Sequence, residues 1–283
     1  MEIYNDCVLC ILRQSLEAAR FVTGDEKIHR KILKQALKKM ADFDAVATPP
    51  EMASHIQEII RKTTGCHDPY QDVKKEYNDM ALELLPGLKE RVKNASSPME
   101  TALRLAIAGN IIDFGASSEL GRQRVLDTID HALNQEVYGD MDALVRALTS
   151  AGNILWLADN TGEIVFDCPA LECIGPEKIT FAVRGGPVLN DATLEDTAYT
   201  GISEMVKVID NGTAIPGTII DACSSSFKQA FDQADMIVAK GQGNYETLAH
   251  DDSRIFFLFK AKCKIVADLV RCRLGDMVVA SNF

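Results

Sequence analysis

Polar side chains with metal-binding and phosphate-binding chemistry cluster where predicted β-strands end. The clusters are Asp159-Asn160 after the predicted strand 153–158, Asn190-Asp191 after the predicted strand 178–183, and Lys240 after the predicted strand 235–239. Because ligands of an open parallel sheet bind at the carboxyl ends of its strands, we expect these clusters to converge. Carboxylates, amides and a lysine at one sheet edge predict a site for a hard metal ion and a phosphate group.

Each cluster also has a purely structural interpretation. Thr161 could cap a helix, and Glu163 would suit the positive end of that helix dipole. Asp191 could cap a helix at 192–199, and a lysine in a glycine-rich turn is often only solvated. Two such clusters at consecutive strand ends nevertheless favour one shared site over two independent caps.

Three more features extend this predicted site. The turn 241–244 after Lys240 offers backbone N–H groups to a phosphate, but its spacing is not that of a P-loop, so no nucleoside triphosphate site is predicted. The segment 184–187, which begins with Arg184 and continues Gly-Gly-Pro, predicts a tight turn. Asn110 and Asp113 share one face of an apolar predicted helix and, being polar, either bond the next domain's backbone or line the pocket.

The elements that must position these residues differ between the two halves of the chain. Apolar residues at helical spacing predict helices at 10–21, 27–41, 51–62, 69–85, 99–112, 122–133 and 141–150. The fourth of these helices is predicted to stop at Pro86-Gly87. From residue 153 onward, β-branched runs alternate with helical segments, and strands are predicted at 153–158, 178–183, 206–209, 235–239, 255–259 and 276–280. We therefore predict an α/β fold with a Rossmann-like, mostly parallel sheet and crossover helices, preceded by an all-helical N-terminal region. The predicted domains are a helical region, 1–95, and a catalytic α/β domain, 96–283, with a helical lead-in at 96–150.

Composition narrows the class of protein. The chain has 283 residues, of which 47% are hydrophobic and 25% are charged, and its net charge is −11. This acidic balance argues against nucleic acid or an anionic membrane as the main partner, but it leaves a small phosphorylated substrate open. No apolar run is long enough to span a membrane and the N-terminus is polar, so we expect a cytoplasmic protein with reduced thiols.

The motifs together resemble the metal-dependent damage-control phosphatase family, also called acidic-residue methyltransferase-like proteins. The matching pieces are Cys7-x-x-Cys10, the segment 109–113, the segment 159–163, the segment 184–193 and the segment 240–246. The paired cysteines and the short length resemble the compact prokaryotic subgroup. The resemblance implies one divalent metal ion (Mg, Mn, Co or Ni) held by Asp159, Asn160 and Asp191. It also implies that Lys240 binds phosphate and that the substrates are small phosphate esters, such as sugar phosphates or damaged phosphometabolites.

Our hypothesis is metal-dependent hydrolysis of phosphate monoesters, with attack by water and a phospho-aspartate intermediate both open. The predicted catalytic residues are Asp159, Asp191 and Lys240, and the predicted substrate-binding residues are Asn110, Asp113, Glu163, Arg184, Gly241 and Asn244. One alternative is a carboxyl methyltransferase that uses S-adenosylmethionine, although the loop after the first main strand offers only Gly162. Another is a non-catalytic protein that binds phosphometabolites.

The pair Cys7-x-x-Cys10 has separate interpretations. With Cys66 and His67 it could form a structural zinc site, because the ligand types and the first spacing fit. It could also be a redox pair, although it lies outside any βαβ unit, or simply two half-buried thiols at the start of a helix. The sequence does not indicate an oligomeric state.

Overall fold

The computed structural model describes residues 1–41, 48–110, 122–249 and 252–281. Its helices are α1 (Asn5–Val22), α2 (Glu26–Ala41), α3 (Pro49–Thr64), α4 (Gln71–Lys93), α5 (Pro98–Gly109), α6 (Arg122–Asn134), α7 (Met141–Ser150), α8 (Glu163–Ile174), α9 (Leu194–Tyr199), α10 (Ile202–Met205), α11 (Ser225–Gln233), α12 (Gln242–Leu248) and α13 (Lys264–Val270). Its strands are β1 (Val137–Gly139), β2 (Ile154–Leu157), β3 (Ile179–Val183), β4 (Lys207–Asp210), β5 (Met236–Lys240), β6 (Ile255–Lys260) and β7 (Met277–Ser281).

The described strands form one sheet in the order β1-β7-β6-β5-β2-β3-β4. All neighbouring pairs are parallel except β6 and β7, which are antiparallel. The α/β fold class and the six predicted strands are confirmed, whereas the three-residue strand β1 was missed because it is too short to show a pattern. Since β2, β5 and β3 are adjacent, their carboxyl ends lie side by side at one edge of the sheet.

Burial on both faces explains the apolar character of the central strands. Every residue of β2 and β5 is buried, and side chains from alternate positions enter two different cores. Trp156 packs into the core that contains α5 and α8, while Leu155 and Leu157 pack into the core that contains α11 and α12. Strands covered on both faces read as continuous hydrophobic runs, which is what made them recognisable in the sequence.

The N-terminal helices are built in two parts. Helices α1, α2 and α3 enclose their own buried cluster, which includes Ile11, Ile32 and Ile56. Helix α4 instead contributes Leu84 and Leu88 to the core that it shares with α5, α8 and the sheet. The predicted joint at 94–98 is a break between helices, and the division into domains at residue 95 stays a prediction. None of the described helices is long and apolar enough to cross a membrane.

Helix α4 corrects one sequence-based boundary. The helix was predicted to stop at Pro86, but it continues through Pro86 and Gly87 to Lys93. Both residues lie on the exposed face, while the buried stripe of Leu84, Leu88 and Val92 runs past them. Burial of that stripe outweighs the local preference of proline and glycine to end a helix.

Replacement of Gly87 by alanine should stabilise the protein by about 1 kcal/mol, because alanine is the better helix former. Open space surrounds the position where its Cβ would lie. A matched control is Gly65→Ala at the end of α3, where space is also open but φ is 73°. There alanine should destabilise by about 1–2 kcal/mol, the strain of a left-handed conformation. Denaturant unfolding of both variants measures these changes, and equal effects would contradict the assignment of Gly87 to a continuous helix.

Candidate active site

Main-chain hydrogen bonds join the loop that follows β2 to the loop that follows β3. The Ala192 N–H donates to the Asp159 carbonyl at 2.8 Å, and the Thr161 N–H donates to the Asn190 carbonyl at 2.9 Å. The Arg184 N–H in turn donates to the Ala192 carbonyl at 3.0 Å. Through these bonds the backbone holds the polar cluster after β2 directly against the polar cluster after β3.

Asp159, Asn160 and Asp191 meet at this junction. The Asn160 amide Nδ2 donates to Asp159 Oδ2 at 2.6 Å, so the carbonyl oxygen Oδ1 is the atom that Asn160 can offer to a cation. Arg184 Nε donates to Asp191 Oδ2 at 2.7 Å, and Arg184 Nη2 lies 3.8 Å from Asp159 Oδ1. Both carboxylates are buried, with exposed fractions of 8% and 2%. The structure therefore places the three predicted metal ligands together at one point.

Lys240 lies beneath this junction and is completely buried. Its ammonium group donates to Glu163 Oε1 at 2.8 Å, to Asp167 Oδ1 at 2.6 Å and to the Ala106 carbonyl at 2.9 Å. A lysine ammonium has three N–H donors, and these acceptors use all of them. In this arrangement Lys240 has no donor left for a phosphate, so its placement does not favour the phosphate-binding role that the resemblance implied.

Asp167 is a member of the cluster that sequence reasoning missed. It lies one helical turn after Glu163 on α8, with both carboxylates on Lys240, and the Trp156 indole donates to its Oδ2 at 3.1 Å. The available signal was a second acidic residue at i+4 in the mostly apolar stretch 163–171. A carboxylate at such a position needs a buried cation as partner.

Asn110 and Glu163 connect Lys240 to the predicted metal ligands. Asn110 Nδ2 donates to Asp159 Oδ2 and to Glu163 Oε2, both at 2.9 Å, and Asn160 Nδ2 reaches Glu163 Oε2 at 3.1 Å. Asn110 and Glu163 are both buried. Asp113, the other polar residue predicted on that helix, lies outside the described residues.

Gly241 and Asn244 pack closely against the side chains of the site. The Gly241 N–H donates to the Leu258 carbonyl at 3.0 Å, and a Cβ on Gly241, where φ is 80°, would lie 1.9 Å from Asp159 Oδ2. Buried Asn244 donates from Nδ2 to the Lys240 carbonyl at 2.8 Å, and its Oδ1 accepts from Thr218 Oγ1 at 2.8 Å. Both residues pack against the site, and their backbone and side-chain groups are engaged within the protein.

The predicted caps Thr161 and Asp191 were wrong, although Glu163 lies in the first turn of α8 as expected. Helix α8 begins at Glu163 with Gly162 before it, and the Thr161 hydroxyl donates to the Asn190 carbonyl at 3.1 Å instead of capping. Helix α9 begins at Leu194 and is capped reciprocally by Thr193 and Asp196. The Asp191 side chain therefore caps no helix and lies in the cluster of buried carboxylates.

The buried cluster carries more negative charge than its own cations balance. Among the described residues it contains four carboxylates, those of Asp159, Glu163, Asp167 and Asp191, and two cationic side chains, those of Lys240 and Arg184. Full ionisation would leave an excess of two negative charges in a buried space. A divalent cation bound by two carboxylates and one amide oxygen removes that excess, so the residues fit such an ion.

The pKa shifts follow from the same excess. Burial, together with the charges of Glu163 and Asp191, raises the pKa of Asp159 to about 8, and burial raises the pKa of Asp167 to about 7. Burial also raises the pKa of Asp191 despite the adjacent Arg184. Burial would raise the pKa of Glu163 too, but the Lys240 ammonium outweighs it and lowers that pKa. Lys240 thus keeps Glu163 ionised, while burial favours the protonated forms of Asp159, Asp167 and Asp191 unless a further cation is bound.

A cleft of about 300 Å³ opens onto the predicted metal ligands. Helices α1 and α3 form one wall through Ile11, Pro50 and neighbouring residues, and the loops after β3 and β6 form the other. Cys7 and Cys10 line the α1 wall, and Cys263 also lines the cleft. The predicted site is therefore reached from the interface between the N-terminal helices and the sheet edge.

The structure gives no support to the predicted zinc site. Cys66 and His67 do not line the cleft in which Cys7 and Cys10 lie. Within residues 1–41, 48–110, 122–249 and 252–281, no group of three or more His, Cys, Asp or Glu side chains is arranged to hold a metal ion. The site formed by Asp159, Asn160 and Asp191 differs from such a group, because it combines two carboxylates with one asparagine amide.

The chain matches a known protein family over nearly its whole length. Residues 3–278 match the profile of the damage-control phosphatase ARMT1-like domain. A damage-control phosphatase from Pyrococcus horikoshii is 34% identical over 288 residues, covering 100% of this chain and 99% of that protein. A damage-control phosphatase from Archaeoglobus fulgidus is 32% identical over 284 residues, covering 98% of each chain.

Two further comparisons also cover nearly the whole of both chains. An uncharacterised protein from Methanocaldococcus jannaschii is 35% identical over 293 residues, covering 99% of this chain and 95% of that protein. The crystal structure of a DUF89 family protein from Pyrococcus horikoshii superimposes with a TM-score of 0.91 at 34% identity, covering 100% of both chains. The similarity thus extends over the whole chain and the whole fold.

Replacement of Lys240 by methionine should lower the free energy of unfolding by about 3–5 kcal/mol, the usual effect of removing one partner of a buried ion pair. Glu163 and Asp167 would be left without their shared cation. Lys264→Met is the control, because Lys264 pairs with Asp268 at the surface and should change stability by less than about 1 kcal/mol. A Lys240→Met protein of full stability that no longer binds phosphate would restore Lys240 as a substrate ligand.

Proposed function

The chain belongs to the damage-control phosphatase family with an ARMT1-like domain, and we propose that its phosphatase reaction takes place at Asp159, Asn160 and Asp191. The reaction is hydrolysis of small phosphate monoesters with a divalent metal cofactor. The observation that carries the proposal is a buried cluster of four carboxylates with two cationic side chains among the described residues, two of whose carboxylates lie beside an amide oxygen at the end of an open cleft. Mg, Mn, Co and Ni all suit this mixture of carboxylate and amide oxygens.

We assign the metal to Asp159, Asn160 and Asp191 and the contact with the phosphoryl group to Arg184. When bound, a divalent cation supplies neutralisation of the charge on the phosphoryl oxygens. Arg184 is buried, yet its Nη2 makes no hydrogen bond in the described part of the chain. A guanidinium donor held near Asp159 without an acceptor is suited to a phosphate oxygen, whose charge it would stabilise.

Lys240, Glu163, Asn110 and Asn244 act in this proposal as positioning residues. Lys240 fixes Glu163, and Glu163 and Asn110 then fix the side chains of the metal ligands. Asn244 lies against Thr218 and approaches Arg184 Nη1 at 3.5 Å, so it limits the orientation of the guanidinium. Their value for the reaction is preorganisation, because ligands held in place need no rearrangement as charge develops.

The charge balance of the site favours the phosphatase over the methyltransferase. Transfer of a methyl group from S-adenosylmethionine needs no divalent cation, whereas this cluster is suited to one. A protein that only bound phosphometabolites would show binding without release of phosphate. A panel of p-nitrophenyl phosphate and several sugar phosphates, each with Mg, Mn, Co or Ni and with a chelator control, separates the three functions.

Replacement of Asp159 by asparagine should lower metal-dependent phosphate release by at least about 100-fold, since even loss of a residue that supports a metal ligand costs about 10–100-fold. The amide keeps the shape of the carboxyl group, so the variant should fold. It should also lose the rise in melting temperature that the metal gives the wild type.

The matched control is Asp210→Asn. Asp210 ends β4 at the same edge of the sheet, but its carboxylate accepts from the Gly212 N–H outside the cluster. This variant should keep both the activity and the metal-dependent rise in melting temperature. Full activity of Asp159→Asn would rule out Asp159 as a metal ligand.

A further inference from the structure

A buried carboxyl group lines the cleft away from the proposed metal ligands. Glu246 is 8% exposed and lies on the part of the cleft wall that α12 forms, together with Gln242 and Gly243. In the part of the chain that the structure describes, Glu246 forms no ion pair within 4.0 Å with a cationic group. Because a buried acid without a cationic partner is costly, its position on the cleft wall points to a role in binding.

Glu246 lies about one helical turn away from the proposed metal ligands. Helix α12 begins at Gln242, directly after Gly241, where a Cβ would lie 1.9 Å from Asp159 Oδ2. The start of the helix is therefore next to Asp159. Since an α-helix rises about 1.5 Å per residue, Glu246 is roughly 6 Å further along the helix axis. An ester whose phosphate group is held at the metal ligands would extend its carbon chain past Glu246.

The two oxygen atoms of the Glu246 carboxyl group are used differently. Oε1 accepts from Gln242 Nε2 at 2.7 Å, and Gln242 Oε1 in turn accepts from the Lys262 N–H at 2.9 Å. Both ends of the Gln242 amide are thus engaged, and this holds the orientation of the Glu246 side chain. Glu246 Oε2 makes no hydrogen bond to the described residues, so it is the acceptor that is left for a ligand.

The surroundings of Glu246 in the cleft are largely apolar or acidic. Ile11 and Pro50 line the same cleft, and Asp6 is a further acidic residue in its lining. Burial raises the pKa of the Cys7 thiol and the charge of Glu246 raises it further, so these two groups are near each other. A thiol is only a weak hydrogen-bond partner. The carboxyl group of Glu246 is therefore the stronger acceptor for a polar group that reaches this part of the cleft.

Glu246 can bind a hydroxyl group in both of its protonation states. Burial raises the pKa of Glu246 to about 7, although the hydrogen bond from Gln242 and the charges of the N-terminal ammonium and Lys262 work against the rise. The ionised carboxylate accepts a hydrogen bond from a hydroxyl group, and the protonated form can also donate one. The ionised form repels a second anionic group at the same place.

We propose that Glu246 determines which phosphate esters the cleft accepts, because its carboxyl group binds a hydroxyl about one helical turn from the phosphate and rejects an acidic group there. The proposal rests on the proposed phosphatase function and defines the substrate class for it. The preferred substrates are monoesters with a hydroxyl group at the far end of a short carbon chain. Esters with a second phosphate or a carboxylate at that end are poor substrates.

The test compares plain propyl, butyl and pentyl phosphates with the same esters that carry a terminal hydroxyl or a terminal carboxyl group. The proteins are wild type, Glu246→Met, Glu246→Gln and Glu204→Gln, a control on the exposed surface of α10. The values of kcat/KM are measured at saturating divalent metal and at a pH above the pKa of Glu246. Binding of the corresponding phosphonates, which cannot be hydrolysed, is measured by calorimetry in the same metal.

Wild type should prefer the terminal hydroxyl over the plain alkyl chain by about 5- to 10-fold in kcat/KM at the chain length that reaches Glu246, the usual effect of one hydrogen bond. Glu246→Met should lose this preference. Glu246→Gln should keep most of it, because an amide also binds a hydroxyl, and should accept the terminal carboxyl group about 10-fold better than wild type does. Glu204→Gln should match wild type in all these ratios.

A wild type that hydrolyses the plain and the hydroxyl esters equally well at every chain length would overturn the proposal. A Glu246→Met protein that keeps the hydroxyl preference, or a Glu246→Gln protein that rejects the carboxyl esters as wild type does, would also overturn it. If the phosphonates bind with a hydroxyl preference that depends on Glu246 but no ester is hydrolysed, the assignment of Glu246 stands and the phosphatase function fails.

Discussion

The ion pairs of the buried Lys240 ammonium are the interaction on which the rest of the site depends. Lys240 ends β5 in the middle of the sheet, and its three donors hold α8 through Glu163 and Asp167 and hold α5 through the Ala106 carbonyl. One cation therefore fixes two helices against the strand between them. Burial would lower the pKa of Lys240, but the two carboxylates raise it above its usual range. The ammonium therefore stays charged and keeps its ion pairs with both carboxylates.

The same interaction leaves the predicted metal ligands with a charge that the protein does not balance. Lys240 neutralises one of its two acidic partners, and Arg184 neutralises one of the two carboxylates above them. With all four carboxylates ionised, one negative charge would remain on each pair, and the pair formed by Asp159 and Asp191 lies beside an amide oxygen at the end of a cleft. Because buried carboxylates without a counter-ion are costly, the cluster is suited to bind a divalent cation and to lose that cation's stabilisation in a chelator. Charge balance thus connects the packing of the fold to the chemistry of the family.

The sequence predicted the parts of the fold that follow from local pattern. Buried strands stood out as apolar runs, and polar residues at their ends predicted the meeting of Asp159, Asn160 and Asp191. The burial of the Lys240 side chain was not predictable, because no residue near Lys240 in the sequence indicates that it forms ion pairs with Glu163 and Asp167. The end of α4 was missed for a similar reason, since the core that covers Leu88 and Val92 is made by residues far along the chain.

Titration of divalent metal into the chelator-treated protein by calorimetry tests the central claim most directly. The account predicts one ion per chain for wild type and none for the double variant Asp159→Asn, Asp191→Asn, in which the charge excess is removed. A wild type that binds no divalent ion, or a double variant that still binds one, would contradict the account.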